Sequence, residues 1–299
     1  MTIASEIFAA RSWLFAPGDS DRKMEKAGDS AADIVILDLE DAVEEGEKPK
    51  ARAMVAAFVK SRTDDRARIW VRINPLDGPH ALNDLVAVVG SRPGGIMLPK
   101  ARGRADVELL NNYLTALEVA AGIAPQSIKV IALVTETAEA MFTTGDYAGA
   151  PRLVAMTWGA EDLAVALGAS DNRNADGSYG FNYQLARSLC LFGAAAAGVA
   201  PIETIQGDFR DLDALKTRAE QVRRDGYRGM LAIHPAQVDV INRAFTPSDD
   251  EVAAAQEIVD IFAANPGVGT IGYKGGMLDL PYLARAQSLL KLAKRDGHG

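Results

Sequence analysis

Ile128-Lys129-Val130-Ile131-Ala132-Leu133-Val134-Thr135-Glu136 and Arg152-Leu153-Val154-Ala155-Met156-Thr157-Trp158-Gly159-Ala160-Glu161-Asp162 decide the fold. Each opens on an apolar run and closes on a carboxylate. The runs are too short for helices and lack polar alternation, as expected of strands buried on both faces. Acids just past the ends of consecutive strands suit a hard divalent cation such as Mg²⁺, which takes oxygen ligands and keeps positions open for water and substrate. Glu136, with Glu161 or Asp162, is the candidate pair. A cation held there can polarise a hydroxy- or keto-acid.

Similar runs recur on either side, at Ser12–Ala16, Ile34–Leu39, Ile69–Ile73, Gly95–Leu98, Pro201–Ile205 and Met230–Ile233. Between them lie amphipathic stretches at Asp21–Gly28, Lys48–Lys60, Arg104–Ala121, Thr137–Tyr147, Tyr183–Gly198 and Asp211–Asp225. Ser20 or Asp21 can cap the first and Gly28 can end it. Strands alternating with helices predict an α/β protein, a (β/α)₈ TIM barrel. A doubly wound sheet is the competing reading, but Pro17-Gly18-Asp19 lacks the glycine spacing of a nucleotide-binding turn. In such a barrel catalytic residues sit at the C-terminal strand ends. Those ends carry Glu40 and Asp41, Arg72 and Asn74, Lys100, Glu136, Glu161 and Asp162, and His234.

The pattern changes after the eighth run. Thr246-Pro247-Ser248-Asp249-Asp250-Glu251 starts a helix that runs to about Ala264. A glycine-rich stretch, Gly267–Gly276, and Met277-Leu278-Asp279-Leu280-Pro281 lead into a final helix ending near Lys294. Residues 1–245 read as the catalytic barrel and 246–299 as a C-terminal helical extension with a mobile lid.

The net charge of -8 excludes a typical nucleic-acid binder, which needs a basic face. The single cysteine, Cys190, lies in an apolar stretch, reads as a buried structural thiol, and fits a reducing cytoplasm. No apolar run reaches the length of a membrane span, and Met1–Arg11 lacks the pattern of a signal peptide.

Several motifs occur in fixed order: Arg11-Ser12-Trp13-Leu14-Phe15-Ala16-Pro17-Gly18, Leu37-Asp38-Leu39-Glu40-Asp41-Ala42-Val43, Val71-Arg72-Ile73-Asn74, Met97-Leu98-Pro99-Lys100, Glu136-Thr137, Gly159-Ala160-Glu161-Asp162-Leu163 and Ile233-His234-Pro235-Ala236-Gln237. The set resembles the HpcH/HpaI aldolase and citrate lyase superfamily, in its citrate lyase β-subunit-like branch, which includes malyl-CoA and citramalyl-CoA lyases. The resemblance implies a Mg²⁺-dependent carbon–carbon lyase that cleaves a 3-hydroxy-3-carboxyacyl-CoA to acetyl-CoA and a 2-oxo acid. It makes Glu136 and Asp162 the metal ligands and sets Arg72 on the reacting thioester or carboxylate. Phe15, Ala16 and Lys26 would hold the CoA thioester, with Glu161, Ile233 and His234 near the substrate. Asp279, in the lid motif, would be the acid/base reaching a neighbouring subunit's site, which implies a homo-oligomer, a trimer or a hexamer. Some malyl-CoA lyases carry a basic residue where this chain has Ser20; Arg22 is the nearby substitute. A class II aldolase on free oxo-acids, a malyl-CoA thioesterase and a citrate lyase β subunit working with an acyl-carrier partner are the alternatives.

Other residues have weaker claims. Lys100 can form a Schiff base or pair with Glu40 or Asp41. Glu40 and Asp41 can reach the metal through water, orient Arg72, or form a polar turn. His234 suits a substrate contact or a structural hydrogen bond better than a hard metal. Arg22–Lys26 and Lys48–Arg52 can anchor CoA phosphates or be solvated helix faces. Asp279 could equally cap a helix, and His80 and His298 receive no role.

Overall fold

The eight runs pair in parallel, each with its neighbour in sequence, and the last closes on the first. The molecule, a computed structural model, describes residues 7–295. His298 and the first part of Met1–Arg11 lie outside the described residues. The strands are β1 (Ser12–Pro17), β2 (Ile34–Asp38), β3 (Ile69–Arg72), β4 (Gly95–Leu98), β5 (Lys129–Leu133), β6 (Leu153–Thr157), β7 (Ala200–Glu203) and β8 (Gly229–Ala232). β2, β4, β6, β7 and β8 are buried along their whole length, because interior side chains cover one face and helices the other. Trp13, Ile36, Trp70, Met97, Ile131, Ala155, Ile202 and Leu231 belong to one continuous core. Trp13 and Trp70 meet edge to face at 5.3 Å within it.

Helices α1 (Asp21–Gly28), α2 (Lys48–Ser61), α3 (Ala81–Val88), α4 (Arg104–Ala120), α5 (Glu161–Leu167), α6 (Phe181–Ala197), α7 (Leu212–Asp225) and α8 (Val238–Phe245) follow the strands. The barrel reading holds, with local corrections. No α-helix fills Thr137–Tyr147; a 3₁₀ turn, Glu139–Phe142, stands there instead. Glycine, threonines and an aspartate at Thr143-Thr144-Gly145-Asp146 offer turns that compete with helix. α1 begins beside Ser20 without a side-chain cap and runs through Gly28 to end on Asp29. A buried pair locks the N-terminal side of β6: Arg152 donates to both Glu118 oxygens, at 2.8 and 2.7 Å, with neither side chain exposed.

Two compact units divide the chain, Met1–Asn242 and Arg243–Gly299. In the second, α9 (Asp249–Ala264) and α10 (Leu280–Arg295) pack against each other. Ser248 and Glu251 cap α9 reciprocally, as the sequence signals. The glycine-rich stretch is not a plain loop. It forms a hairpin of β9 (Thr270–Tyr273) and β10 (Gly276–Asp279). Lys274 and Gly275 both take positive φ, 47° and 78°, as a two-residue hairpin turn of the primed type requires. Among the described residues, no helix is long and apolar enough to cross a membrane.

Candidate active site

The barrel register builds the site. Asp38 closes β2 directly opposite Arg72, the last residue of β3, and neighbouring strands lie about 4.8 Å apart. The pair is therefore bidentate: Arg72 donates from Nε to Asp38 Oδ1 at 2.8 Å and from an Nη to Oδ2 at 2.6 Å. Asp38 also accepts the backbone N–H of Glu40 at 2.9 Å and of Ala42 at 3.1 Å. Burial raises the Asp38 carboxyl, but Arg72 and these N–H groups outweigh it and hold the pKa below the usual range. Burial likewise opposes the charge on Arg72, and Asp38, Glu40 and Asp41 more than restore it.

A second cation continues the chain of charges. Lys100 Nζ lies 2.8 Å from Glu40 and 3.1 Å from Asp162. Glu40 thus bridges Lys100 and Arg72, the latter at 3.0 Å. That last contact is an ion pair outside hydrogen-bond geometry, since Glu40 Oε2 has no hydrogen-bond partner. Arg72 also lies 3.3 Å from Asp41. Of the two partners expected for Lys100, Glu40 is the one it meets, and Asp162 is an additional one. The acids around Lys100 outweigh its burial and raise its pKa, so it stays an ammonium. A Schiff base needs the neutral amine.

Glu136 follows β5 and is only 4% exposed. Two local features seat it. Lys100 takes a left-handed backbone, φ 50°, costly for a non-glycine residue; its N–H meets Glu136 Oε2 at 2.6 Å. A Cβ on Gly159 would stand 3.1 Å from Glu136 Cγ and 3.2 Å from Oε1, so a larger residue there would make the carboxyl shift by a few tenths of an ångström. Burial first, then the charges of Glu40 and Asp162, push the Glu136 pKa up to about 8.

These groups open into a cavity of about 410 Å³ at the C-terminal ends of the strands. Phe15, Ala16, Arg72, Glu136, Glu161, Asp162 and Ile233 line it together. The guanidinium of Arg72 lies over the Phe15 ring at 5.0 Å. Lys26 does not line the cavity; it is exposed on α1. His234 does not line it either. Its Nδ1 accepts from Ala236 N at 3.1 Å, and its ring stacks on Phe209 at 4.7 Å. Asp279, in its own unit, accepts from Tyr282 N at 3.3 Å, a capping contact for α10.

Two of the three cations in Lys48–Arg52 are committed to structure, and Lys50 is exposed beside Glu47. Lys48 Nζ donates to the carbonyls of Leu39 and Glu40 and to Asn74 at 2.8–3.0 Å. Arg52 binds Asp84 at 2.7 Å and His80 at 2.9 Å. His80 reaches Glu45 at 2.6 Å, so it too has a structural place. Cys190 is buried, which raises its pKa and keeps the thiol protonated. Sequence reasoning missed Asp38 as a functional residue, along with the cavity residues Leu133, Tyr179, Thr204, Ile205 and Leu231. An acid interrupting the apolar run Ile34–Leu39 was the available signal for Asp38.

The donor set fits a hard cation. Asp38, Glu40, Asp41, Glu136, Glu161 and Asp162 cluster here against Arg72 and Lys100. Among the described residues no trio of His, Cys, Asp or Glu forms a ready-made metal cage. Mg²⁺ does not need one: it is usually bound through one or two carboxylates, with water and substrate completing its shell. Burial and the charges of Glu40 and Asp162 raise Glu136, and such an ion would offset both.

The fold and site define a (β/α)₈ enzyme with an acid-rich, arginine-bearing pocket at the C-terminal strand ends. Residues 11–235 match the HpcH/HpaI aldolase/citrate lyase family, and the chain belongs to it. It is an enzyme of the oxo-acid-lyase type, citrate lyase β-like. It is 35% identical to a citrate lyase subunit beta-like protein of Mycobacterium tuberculosis over 95% of this chain and 96% of the relative. An L-malyl-CoA/beta-methylmalyl-CoA lyase of Cereibacter sphaeroides is 33% identical, over 95% and 94%. A (3S)-malyl-CoA thioesterase from the same species is 32% identical, over 98% and 97%. The crystal structure of CitE from M. tuberculosis with magnesium, acetoacetate and coenzyme A superposes with a TM-score of 0.81 at 35% identity, covering 96% of this chain and 99% of that one.

Proposed function

We propose that the protein is a Mg²⁺-dependent lyase that cleaves a citramalyl-CoA- or malyl-CoA-type thioester to acetyl-CoA and a 2-oxo acid. The observation that carries this reading is the convergence of Glu136, Asp162 and Arg72 on one cavity. Glu136 and Asp162 would hold the ion. Bound Mg²⁺ supplies a Lewis acid that lowers the pKa of the substrate hydroxyl and orients its oxygens. The hydroxyl proton would pass to solvent water as the carbon–carbon bond breaks. Its electron pair passes to the thioester as an enolate, and the other fragment is the 2-oxo acid. Arg72, fixed by Asp38, stabilises the enolate oxygen. The enolate carbon takes a proton to give acetyl-CoA. Asp279 of a neighbouring subunit is the proposed donor, in a homo-oligomer, on the strength of its Gly-Met-Leu-Asp-Leu-Pro setting. Phe15 and Ala16 form the wall for the thioester, and Lys26 and Arg22 are the outlying cations for CoA phosphates.

The similarity to a malyl-CoA thioesterase over nearly the whole chain supports a second reading, hydrolysis of the thioester. One assay separates the two. Purified protein with Mg²⁺ and citramalyl-CoA or malyl-CoA should release pyruvate or glyoxylate with acetyl-CoA. Release of free CoA with the intact hydroxy acid would establish the thioesterase instead. Asp279→Asn should lose turnover and keep Mg²⁺ affinity; undiminished turnover would remove Asp279 from the chemistry.

A further inference from the structure

The cavity has two uncharged walls. Phe15, Ala16, Pro17 and Ala42 form one, at the β1 and β2 ends. Thr204, Ile205, Leu231 and Ile233, at the β7 and β8 ends, and Tyr179, from the stretch between β6 and β7, form the other. β8 pairs with β1, so the two walls adjoin, and Arg72, Glu136 and Asp162 stand on the rest of the rim, at the ends of β3, β5 and β6. If the first wall takes the thioester, as the proposed function has it, a 2-oxo acid with its oxygens toward Glu136 and Asp162 leaves its carbon chain to the second wall, where Tyr179 follows β6 as Asp162 does.

Tyr179 is the largest side chain of that second wall, and it comes from the stretch between α5 and α6. Asp171–Gly180 folds on itself: Asn174 N donates to Ser178 O at 2.8 Å, and Gly180 N to Asn172 O at 3.0 Å. The ring meets Trp158 edge to face at 5.1 Å. Arg173 lies over it at 4.1 Å and Arg218 at 5.4 Å. Two of these neighbours share one anchor. Buried Glu203 accepts from Trp158 Nε1 at 2.7 Å and from Arg218 at 3.0 Å, and Arg187 pairs with it at 2.7 Å. Arg218 also binds the Ile205 carbonyl at 3.0 Å. Trp158 and Arg218 are thus pinned independently of the ring. A pinned wall cannot collapse into the space a truncation leaves. Among the described residues no hydrogen bond holds the Tyr179 hydroxyl, and Tyr179→Phe separates its part from that of the ring.

We propose that Tyr179 is a specificity-determining residue: its ring limits the length of the carbon chain that the 2-oxo acid can carry. This rests on the proposed lyase reading. The test uses the full chain with Mg²⁺ in the condensation direction, with acetyl-CoA and glyoxylate, pyruvate, 2-oxobutyrate or 2-oxopentanoate. One methylene in an apolar pocket discriminates by about 10- to 200-fold. Wild type should therefore lose at least about tenfold in kcat/KM at the acid where the chain meets the ring. Tyr179→Ala should recover that loss, Tyr179→Phe should keep the wild-type ratios, and Tyr179→Leu repeats the test with a smaller void. Folded Ala and Leu variants with unchanged ratios would overturn the proposal, as would a Phe variant that loses the discrimination. A thermal-shift series with the same acids and Mg²⁺, without acetyl-CoA, reads the pocket apart from turnover. The longer acids should stabilise the Ala variant and not wild type. If no acid condenses with acetyl-CoA, the lyase reading fails. Equal shifts for wild type and Ala with every acid would then defeat the Tyr179 proposal on its own terms.

Discussion

Replacing Asp38 with Asn removes one charge at the point where β2 and β3 hold Arg72. Asp38 accepts four hydrogen bonds, two from Arg72 at 2.8 and 2.6 Å and two from backbone N–H groups at 2.9 and 3.1 Å. Asparagine keeps one acceptor oxygen and turns an NH₂ toward groups that are themselves donors. The site is well shielded, with side-chain exposures of 3% for Asp38 and 12% for Arg72, so solvent replaces little of the loss. Breaking a buried pair costs about 3–5 kcal/mol. Arg72 keeps Glu40 at 3.0 Å, which places the cost near the lower end, about 3 kcal/mol. At roughly 2 °C per kcal/mol for a large domain, the melting temperature should fall by about 6 °C. Turnover should fall by about 10² as the guanidinium loses its alignment. Asp41→Asn is the control. It lies 3.3 Å from the same guanidinium but is 60% exposed, and an exposed pair contributes at most about 1 kcal/mol. Differential scanning fluorimetry and steady-state kinetics read both variants. An Asp38→Asn protein that melts within 1 °C of wild type and turns over within about twofold would refute the claim that Asp38 fixes Arg72.

Glu136, with its pKa pushed up to about 8 in the metal-free protein, binds a proton near neutrality that the unfolded chain has already released. Metal-free stability should therefore decline as pH rises from about 4.5 to about 8, the reverse of a salt-bridged acid. Mg²⁺ must displace that proton, so calorimetry in buffers of different ionisation enthalpy should show proton release at pH 7 that vanishes above pH 9; no release at pH 7 would contradict the shift. Gly159→Ala puts a methyl 3.1 Å from Glu136 Cγ and should weaken Mg²⁺ affinity at least about tenfold with little change in melting temperature; unchanged affinity by titration would show the carboxyl has room. Borohydride with pyruvate should leave the mass of the protein unchanged, since Lys100 stays protonated between Glu40 and Asp162; a reduced adduct on Lys100 would overturn its assignment as an ion-pair partner.

The barrel was legible because its strands are buried on both faces and their apolar runs recur at regular spacing between helical stretches. The acids at strand ends were legible for the same reason, since the end of a run marks the rim of the barrel. Asp38 was not. It belongs to the run Ile34–Leu39, and only the register opposite Arg72 reveals its partner. Tyr179 was not legible either, because its place depends on how Asp171–Gly180 folds, and that stretch of turn-forming residues carries no periodicity. Lys48 and Arg52 read as surface cations; their acceptors, Asn74 and Asp84, lie 26 and 32 residues away. The hairpin of β9 and β10 hid in a stretch whose glycines suggest a loop until the Lys274-Gly275 turn is recognised.

The central claim is that Glu136 and Asp162 hold one divalent ion at the mouth of the barrel. A crystal structure grown with Mn²⁺ and pyruvate, read by anomalous scattering, tests it directly. The account predicts a single strong peak touching an oxygen of each carboxylate, with pyruvate oxygens in the same shell. A peak elsewhere, or none with pyruvate bound in the cavity, would contradict it.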